Sequence, residues 1–372
     1  MKRLMIILAA VCMAATVNAQ ELTNFMFGRK PVVSPEIQND TVTFRLKAEY
    51  ATDVQLYGSW MPGYGDRIKL RRNADYIWEV SIPAPAPEIY TYNFFVDGVS
   101  VSDPNNVLMQ RDGTRYLSML LVDGERSENY KEANQRGSVS HVWYDSELLG
   151  INRRMTVYTP YGYETSKKTK YPVLYLLHGG GGDEEAWTSM GRKAQILDNL
   201  IEKGLAKPMI VVMPNGNPGQ QAAVTLNLDT KQVQTPNAYV TSLVKEIVPF
   251  IEKNYRAIPK SEARAIAGLS MGGGNTYNCS NLYPDMFRYV APFSAAIFGD
   301  MNKEALKKIQ KAGCKLYFVA CGNTDFLFDT SNKLDAALTE IGFPHTYYVT
   351  EGGHTWANWR DYLNTLAPLL FK

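Results

Sequence analysis

The stretch "RAIAGLSMGGGNTYN", Arg264–Asn278, places one serine among four glycines, directly after a short apolar run. The run has the character of a buried strand, and the residues after Ser270 have that of a helix. A serine in the pattern G-x-S-x-G at a sharp strand-to-helix turn is exposed at the top of a sheet, where a substrate can reach its hydroxyl. Gly268 and Gly272 allow the strand and the helix to pack closely. The stretch predicts an α/β fold with Ser270 as candidate nucleophile.

The residues on either side of this turn repeat the same alternation. Helical segments separate five short apolar runs, which are "YPVLYLLHG", "PMIVVMPNG", "ARAIAGLS", "KLYFVACG" and "HTYYVTEGG". Continuous apolar runs between longer helices indicate parallel strands that are buried on both faces. The sequence therefore predicts a doubly wound α/β domain over residues 138–372.

The first part of the chain has a different period. Apolar and polar residues alternate in "TVTFRL", "DVQLYG", "YIWEVSI", "IYTYNFFVDG" and "RYLSMLLV", and Pro, Gly, Asn and Asp separate these runs. This pattern is typical of an antiparallel β-sandwich, which we predict for residues 20–125. Residues 126–137 are polar and have almost nothing to bury, so they are predicted to form a linker.

The N-terminus has the features of a secretory signal. Lys2 and Arg3 precede the apolar run Leu4–Ala15, and Ala19 supplies a small side chain before Gln20. We predict a signal peptide over residues 1–19 and a secreted or periplasmic protein. A lipid anchor on Cys12 is the alternative. No apolar run is long enough to span a bilayer, so the mature protein is expected to be soluble.

Composition narrows the functional classes. The chain has 39 basic and 37 acidic side chains, which gives no electrostatic reason to expect binding to nucleic acid or to an anionic membrane. Its four histidines are scattered and it has no C-x-x-C pair. The sequence therefore predicts neither a metal site nor a cofactor.

A serine nucleophile needs a base, and the order nucleophile, acid, histidine in this type of fold restricts the choice to His345 and His354. His345 begins the run "HTYYVT", at the end remote from the predicted site, and His354 follows its carboxyl end. We therefore predict His354 as the base and a structural role for His345.

The acid is expected after another strand end between the serine and the histidine, where it fixes the imidazole tautomer. Asp325 follows the run that ends at Cys321, and it is the preferred candidate. Asp329, about one helical turn further on, and Asp300 are the alternatives.

Glycines after the first long apolar run supply a candidate oxyanion hole. In "HGGGG", His178–Gly182, the backbone N–H of Gly180 can pair with that of Met271, the residue after the nucleophile. His178 itself is predicted to brace this loop. Trp187 and Trp356 lie in nearby loops and are candidates for the wall of an acyl pocket or for buried packing.

These motifs carry a resemblance to a known family. "YPVLYLLHGGGGDEEAW", "AIAGLSMGGG", "CGNTDFL" and "GGHTWANWRDYL" resemble the secreted serine esterases of the feruloyl and acetylxylan esterase family, carbohydrate esterase family 1, within the α/β-hydrolase fold. The earlier "VQLYGSW" and "YTYNFFVDGVSVSDPNN" are similar to an immunoglobulin-like, early-set sandwich of the kind found in glycogen-binding modules. The resemblance implies Ser270, Asp325 and His354 as the catalytic triad.

The resemblance also implies a substrate class. Release of ferulate from arabinoxylan is the expected activity, and feruloylated or acetylated plant polysaccharide is the expected partner. Acetylxylan esterases and enterobactin-type siderophore esterases are the alternatives among hydrolases, and a mycolyl-type acyltransferase shares the fold. An alternative of a different class is a polysaccharide-binding protein with a catalytically decayed esterase domain.

Overall fold

The computed structural model describes residues 32–63, 65–223 and 237–372. The predicted signal peptide, residues 1–19, and the alternative lipid anchor on Cys12 lie outside these ranges. The chain folds into two compact units. The first unit contains the described residues up to Ala84 together with Thr91–Leu108, and the second contains Pro85–Tyr90 and Met109–Lys372. Within the described ranges, no helix is long and apolar enough to cross a membrane.

The first unit is built from short antiparallel strands. They are β1 (Glu36–Gln38), β2 (Thr41–Lys47), β3 (Val54–Gly58), β4 (Ile68–Lys69), β5 (Arg71–Arg72), β6 (Ile77–Pro83), β7 (Glu88–Val96, of which the residues from Thr91 onward belong to this unit) and β8 (Val99–Val101). One sheet has the order β1-β2-β6-β5, and in the other β3 pairs with β4 and β7 while β7 also pairs with β8. Val42, Phe44 and Leu46 are buried along β2, and the residues between them are more exposed. This is the period-two pattern on which the strand predictions rest.

The second unit includes more of the chain than the predicted esterase domain, which begins at residue 138. A hairpin belongs to it, formed by β9 (Met109–Asp112) and β10 (Arg115–Val122). Part of the predicted linker, residues 126–137, lies in the 3₁₀ helix Glu125–Tyr130. Tyr130 is 1% exposed and is buried in the same hydrophobic cluster as Met119 and Trp187. This segment is packed, because Tyr130 supplies the apolar surface that the polar residues around it lack.

One eight-stranded sheet forms the centre of the second unit. Its strands are β11 (Ser138–Ser146), β12 (Ile151–Thr159), β13 (Val173–Leu177), β14 (Ile210–Pro214), β15 (Arg264–Leu269), β16 (Tyr289–Phe293), β17 (Leu316–Gly322) and β18 (Thr346–Thr350). Their order is β11-β12-β14-β13-β15-β16-β17-β18. β11 and β12 pair antiparallel with their neighbours, and the strands from β14 to β18 are parallel.

Helices lie between the parallel strands and after the last of them. They are α1 (Ala186–Ser189), α2 (Lys193–Glu202), α3 (Ala238–Ser242), α4 (Val248–Asn254), α5 (Met271–Leu282), α6 (Lys303–Lys311), α7 (Phe328–Glu340) and α8 (Trp356–Leu366). A π-helical turn, Leu243–Ile247, joins α3 to α4. Two further 3₁₀ segments are Ser261–Ala263 and Ala367–Leu369.

Both faces of the central sheet are buried. Along β13, Tyr175 belongs to a hydrophobic cluster that includes Leu334 of α7. Its neighbours Leu174 and Leu176 belong to a second cluster that includes Leu363 of α8. Successive side chains of a strand point to opposite faces, so the helices cover the sheet on both sides. The doubly wound α/β arrangement predicted from the continuous apolar runs is confirmed.

The strand order determines where the chemistry-bearing residues meet. β15 lies between β13 and β16, and β17 and β18 follow on the same side. Because the carboxyl ends of parallel strands lie at one edge of a sheet, residues that follow β13, β15, β17 and β18 come together there. These residues include His178, Ser270, Asp325 and His354.

Candidate active site

Ser270 occupies the turn between β15 and α5, in a backbone conformation that residues other than glycine rarely adopt. Its φ is 53° and its ψ is −116°. The backbone N–H of Ser270 donates to the carbonyl oxygen of Phe293 (2.9 Å), and the N–H of Gly274 donates to the carbonyl oxygen of Ser270 (2.9 Å). These hydrogen bonds hold the strained turn. A strained serine at a strand-to-helix turn is the conformation expected of an exposed nucleophile.

The glycines around this turn are required by close backbone contacts. A Cβ on Gly268 would lie 2.5 Å from the carbonyl oxygen of Gly272, and a Cβ on Gly272 would lie 2.5 Å from that of His178. Helix α5 therefore packs against the ends of β15 and β13 at a distance that only glycine permits. This is the close strand–helix packing that the sequence pattern predicts.

We expect Gly272→Ala to destabilise the second unit, because the added methyl group meets backbone atoms that cannot rotate away. The loss in free energy of unfolding should be about 1–3 kcal/mol, as for other overpacked sites, and thermal melting measures it. Gly180→Ala is the matched control, since no atom lies within 4 Å of the Cβ it would add. If both variants melted at the same temperature as the wild type, the close contact would not constrain this position.

His354 and Asp325 are joined by a direct contact. Nδ1 of His354 lies 3.0 Å from Oδ1 and 2.9 Å from Oδ2 of Asp325. The side chain of Asp325 is fully buried, and that of His354 is 20% exposed. With Nδ1 directed at the carboxylate, Nε2 is the nitrogen left to exchange a proton with a reacting group.

The surroundings of Asp325 favour its ionised form. Burial alone raises the pKa of this carboxyl group, but hydrogen bonds from His354, from the backbone N–H of Leu327 and from Ser294 outweigh burial. The pKa of Asp325 is therefore lowered from its ordinary value. A carboxylate kept ionised beside the imidazole can stabilise an imidazolium when the histidine accepts a proton.

Among the described residues, neither of the other two candidate acids makes an ion pair or hydrogen bond with His354. Asp329 is exposed in the first turn of α7, and Asp300 is exposed in the loop before α6.

His345 contacts the carbonyl oxygen of Phe343 through Nδ1 (2.7 Å) and Asp335 through Nε2 (2.8 Å). Both nitrogens of His345 are therefore engaged in local contacts, in agreement with a structural role.

Ser270 and His354 line the same cavity, which has a volume of about 100 Å³. Gly180 also lines it, so the predicted oxyanion donor and Ser270 border the same cavity. Met271 is the first residue of α5, where a backbone N–H has no partner within the helix. Both predicted donors are thus positioned by the two loops that border Ser270.

His178 braces the loop that contains Gly180. The backbone N–H of Gly216 donates to its Nε2 (2.7 Å), so the proton is on Nδ1, which donates to the carbonyl oxygen of Gly179 (2.8 Å). Burial lowers the pKa of His178 and keeps the ring neutral. These contacts agree with the bracing role that the sequence predicts for this residue.

The two tryptophans named as candidate pocket walls have different positions. Trp356 lines the cavity, together with Trp359 one helical turn further along α8. Trp187 is 1% exposed, and its Nε1 donates to the carbonyl oxygen of Leu177 (3.0 Å). It lies behind Trp356, edge to face, with 5.3 Å between the ring centroids. Trp187 therefore packs behind the cavity wall and supports it. Trp359 is a wall residue that the sequence did not indicate.

Aromatic rings also fix the histidine. The rings of Trp359 and His354 pack edge to face, with 4.8 Å between their centroids. The ring of the exposed Phe326 also contacts His354, with 4.4 Å between the two ring centroids. The spacing of Trp356 and Trp359 is the only sequence signal for this arrangement, since residues three apart lie on one face of a helix.

The hairpin β9–β10 contributes Arg111 to the cavity, which the sequence did not indicate. Arg111 makes a bidentate ion pair with Asp183, with N–O distances of 2.8 and 2.7 Å. It also donates to the carbonyl oxygen of Gly113. The positive charge beside Ser270 is thus paired with a carboxylate in the same wall.

Comparisons with known proteins relate this chain to esterases. A family model described as a putative esterase matches residues 146–313. The chain is similar to an endo-1,4-beta-xylanase/feruloyl esterase of Xylanibacter ruminicola, with 32% identity over 88% of this chain and 44% of that protein. It also matches 22% of endo-1,4-beta-xylanase Y of Acetivibrio thermocellus. The chain thus spans less than half the length of these curated relatives.

Two solved structures show the extent of the likeness. A ferulic acid esterase shares 32% identity, with 63% of this chain and 97% of that chain covered and a TM-score of 0.55. The second structure is the enterobactin esterase FES of Shigella flexneri, and the match covers 90% of this chain and 94% of that chain with a TM-score of 0.63. The sequence identity is 17%, so this match shows a common fold alone. The chain therefore belongs to the esterase family that includes ferulic acid esterases, and its second unit has an α/β-hydrolase fold.

Proposed function

We propose that this esterase releases hydroxycinnamoyl groups, with ferulate as the principal example, from plant cell-wall arabinoxylan. The observation that carries the proposal is the contact between Nδ1 of His354 and the buried carboxylate of Asp325, at a cavity that Ser270 also lines. The names of two relatives, one a feruloyl esterase joined to a xylanase and one a ferulic acid esterase, support the substrate class.

The proposed mechanism proceeds through an acyl-enzyme. Oγ of Ser270 forms a bond to the ester carbonyl carbon while Nε2 of His354 takes its proton. The N–H groups of Gly180 and Met271 stabilise the oxyanion. The carbon–oxygen bond to the sugar then breaks, and His354 returns the proton to the leaving alcohol. Water attacks the acyl-enzyme by the same route and releases the free acid, with Asp325 holding the imidazole in both steps.

The cavity walls favour an aromatic acyl group over acetate. Trp356 and Trp359 both line the cavity and present planar apolar surface beside Ser270. Aromatic side chains of this kind bind another ring in stacked or edge-to-face arrangements. Acetylxylan esterase activity is the second candidate. An acetyl esterase of Caldicellulosiruptor saccharolyticus is 26% identical to this chain over 51% of this chain's length.

The charges that line the cavity favour a feruloyl esterase over a siderophore esterase. A ferric siderophore of the enterobactin type is a polyanion, which needs unpaired cations at the site. The cation of the cavity wall, Arg111, is instead neutralised by its bidentate pair with Asp183. A catalytically decayed binding protein is disfavoured because the buried Asp325 has kept its contact with His354. An acyltransferase of the mycolyl type would differ in its product, which is a new ester.

We further propose that the first unit is an early-set sandwich related to carbohydrate-binding modules, and that the enzyme acts outside the cytoplasm, in the periplasm or after secretion. The two antiparallel sheets support the first proposal. The ring of Trp60 stacks on the buried Phe44 at 5.7 Å between centroids and covers Gly58, so much of it fills the unit's own core. The N-terminal signal and the substrate class support the proposed location.

A panel of four substrates tests the proposed function. We expect methyl ferulate to be hydrolysed with a higher kcat/KM than an aryl acetate, because the aromatic acyl group gains contacts with Trp356 and Trp359. Acetylated xylan and ferric enterobactin should be poor substrates. Acid release is followed by chromatography, which also detects any new ester. A higher kcat/KM for acetyl esters or for ferric enterobactin would contradict the proposal while leaving the esterase assignment intact.

A further inference from the structure

A second cavity adjoins the catalytic one. It is an open groove with a volume of about 340 Å³, and Arg111 lines both the groove and the cavity that contains Ser270. The two spaces are therefore neighbours across a single side chain. A substrate with its ester carbonyl at Ser270 has to extend out of the smaller cavity, and the groove is the larger adjoining space.

The hairpin β9–β10 supplies one wall of the groove. Tyr116 of β10 is the direct partner of Arg111 in β9, and residues that lie opposite each other in an antiparallel pair project from the same face. Tyr116 lines the groove and is 58% exposed. An exposed tyrosine presents a planar apolar face and a polar hydroxyl, which matches the alternating apolar and hydroxyl surfaces of a sugar ring.

Other residues that line the groove carry polar groups with unused hydrogen-bonding capacity. Arg154 donates to Glu184 (2.7 Å) and to Oε1 of Glu185 (3.2 Å). Among the described residues, no hydrogen bond reaches Nη1 of Arg154 or Oε2 of Glu185. Oγ of Ser189 accepts the backbone N–H of Arg111 (2.6 Å) and keeps its own proton to donate. Hydrogen-bond donors and acceptors are thus available together in the lining of the groove.

The charges of the groove favour a neutral ligand. Arg111 is paired with Asp183, and Arg154 is paired with Glu184 and Glu185. A phosphate or carboxylate ligand would have to compete with these carboxylates for the guanidinium groups. A neutral polyhydroxyl compound can instead bind the spare donors and acceptors without displacing either pair.

We propose that this groove binds the saccharide to which the acyl group is esterified, with the ring of Tyr116 against a sugar and with Arg154, Glu185 and Ser189 bonded to its hydroxyl groups. The inference rests on the proposed function, since it assumes that the alcohol part of the substrate is a sugar. It assigns recognition of the carbohydrate to the second unit itself, and to a hairpin that precedes residue 126.

The test compares two esters of the same acid. One is methyl ferulate, and the other is a feruloylated arabinosyl-xylo-oligosaccharide. The ratio of kcat/KM for the oligosaccharide to that for methyl ferulate should fall about tenfold in Tyr116→Ala, the size expected for a lost ring contact. Methyl ferulate turnover should stay within about twofold, because its alcohol does not reach the groove. Tyr116→Phe should keep most of the wild-type ratio.

Tyr161→Ala is the matched control, since Tyr161 is 56% exposed and does not line either cavity. Its ratio should equal that of the wild type. An unchanged ratio in Tyr116→Ala would overturn the inference, and so would an equal loss on both esters, which would make the groove an acyl site. If the wild type cleaves neither feruloyl ester, the proposed function fails. The groove is then tested by the ratio of kcat/KM for an acetylated xylo-oligosaccharide to that for an aryl acetate. A fall in this ratio in Tyr116→Ala would support the inference, and an unchanged ratio or an equal loss on both esters would overturn it.

Discussion

Replacing Ser270 by alanine lowers kcat for methyl ferulate by about 10⁶-fold, the loss found when a triad nucleophile is removed. In the proposed mechanism the hydroxyl oxygen of Ser270 forms the bond to the acyl carbon, and alanine has no atom that can replace it. The cavity and the oxyanion donors Gly180 and Met271 are unaffected, so KM should change much less than kcat. Steady-state release of ferulate measures both constants.

Ser280→Ala is the matched control for this variant. Ser280 lies on α5, the helix that follows the nucleophile, and its Oγ donates to the carbonyl oxygen of Tyr277 (3.0 Å). It is remote from the cavity lining, so its loss should leave kcat within a few-fold. Thermal melting shows whether each variant is folded. A folded Ser270→Ala enzyme that kept even a hundredth of wild-type kcat would assign the nucleophile to another residue.

Asp325→Asn should lower kcat by about 10⁴-fold, through the tautomer of the neighbouring imidazole. The carboxylate accepts the Nδ1 proton of His354, which leaves Nε2 free to act as base. The NH₂ group of an amide can donate a hydrogen bond to Nδ1, which favours the tautomer with the ring proton on Nε2, where it blocks proton transfer from Ser270. The lost negative charge also removes support for the imidazolium. The measurement is kcat at saturating methyl ferulate.

Asp329→Asn provides the comparison, because Asp329 is exposed in the first turn of α7. Its charge lies at the positive end of a helix, so its loss should affect stability by a few tenths of a kcal/mol to about 1 kcal/mol and leave kcat nearly unchanged. A larger loss of kcat in Asp329→Asn than in Asp325→Asn would exchange the two assignments and leave the serine and histidine in place.

Much of the fold could be predicted because the signals are local. Each buried parallel strand is a continuous apolar run, and the turn at Ser270 is marked by Gly268 and Gly272, whose missing side chains allow backbone contacts. His354 and Asp325 could be predicted as partners because both follow strands that end at the same edge of the sheet. The contact between them then follows from strand order and needs no knowledge of side-chain packing.

The features that sequence reasoning missed depend on contacts between distant residues. Arg111 reaches the cavity because the hairpin β9–β10 folds with the second unit, although its alternating residues resemble those of the preceding strands. Tyr130 lies in a polar segment, and a single buried ring leaves no periodic pattern. Trp187 and Trp356 look equivalent in sequence, yet only Trp356 lines the cavity, because the indole N–H of Trp187 bonds to the end of β13.

The residue that a fluorophosphonate modifies tests the assignment of Ser270 as the nucleophile most directly. Such a reagent forms a covalent bond with an activated serine in the same way as the acyl group of a substrate. The wild-type enzyme is labelled, digested and mapped by mass spectrometry. We predict one adduct, on the peptide that contains Ser270, and no labelling of Ser270→Ala. An adduct on any other residue, or labelling that survives in the folded alanine variant, would contradict the assignment of Ser270 as the nucleophile.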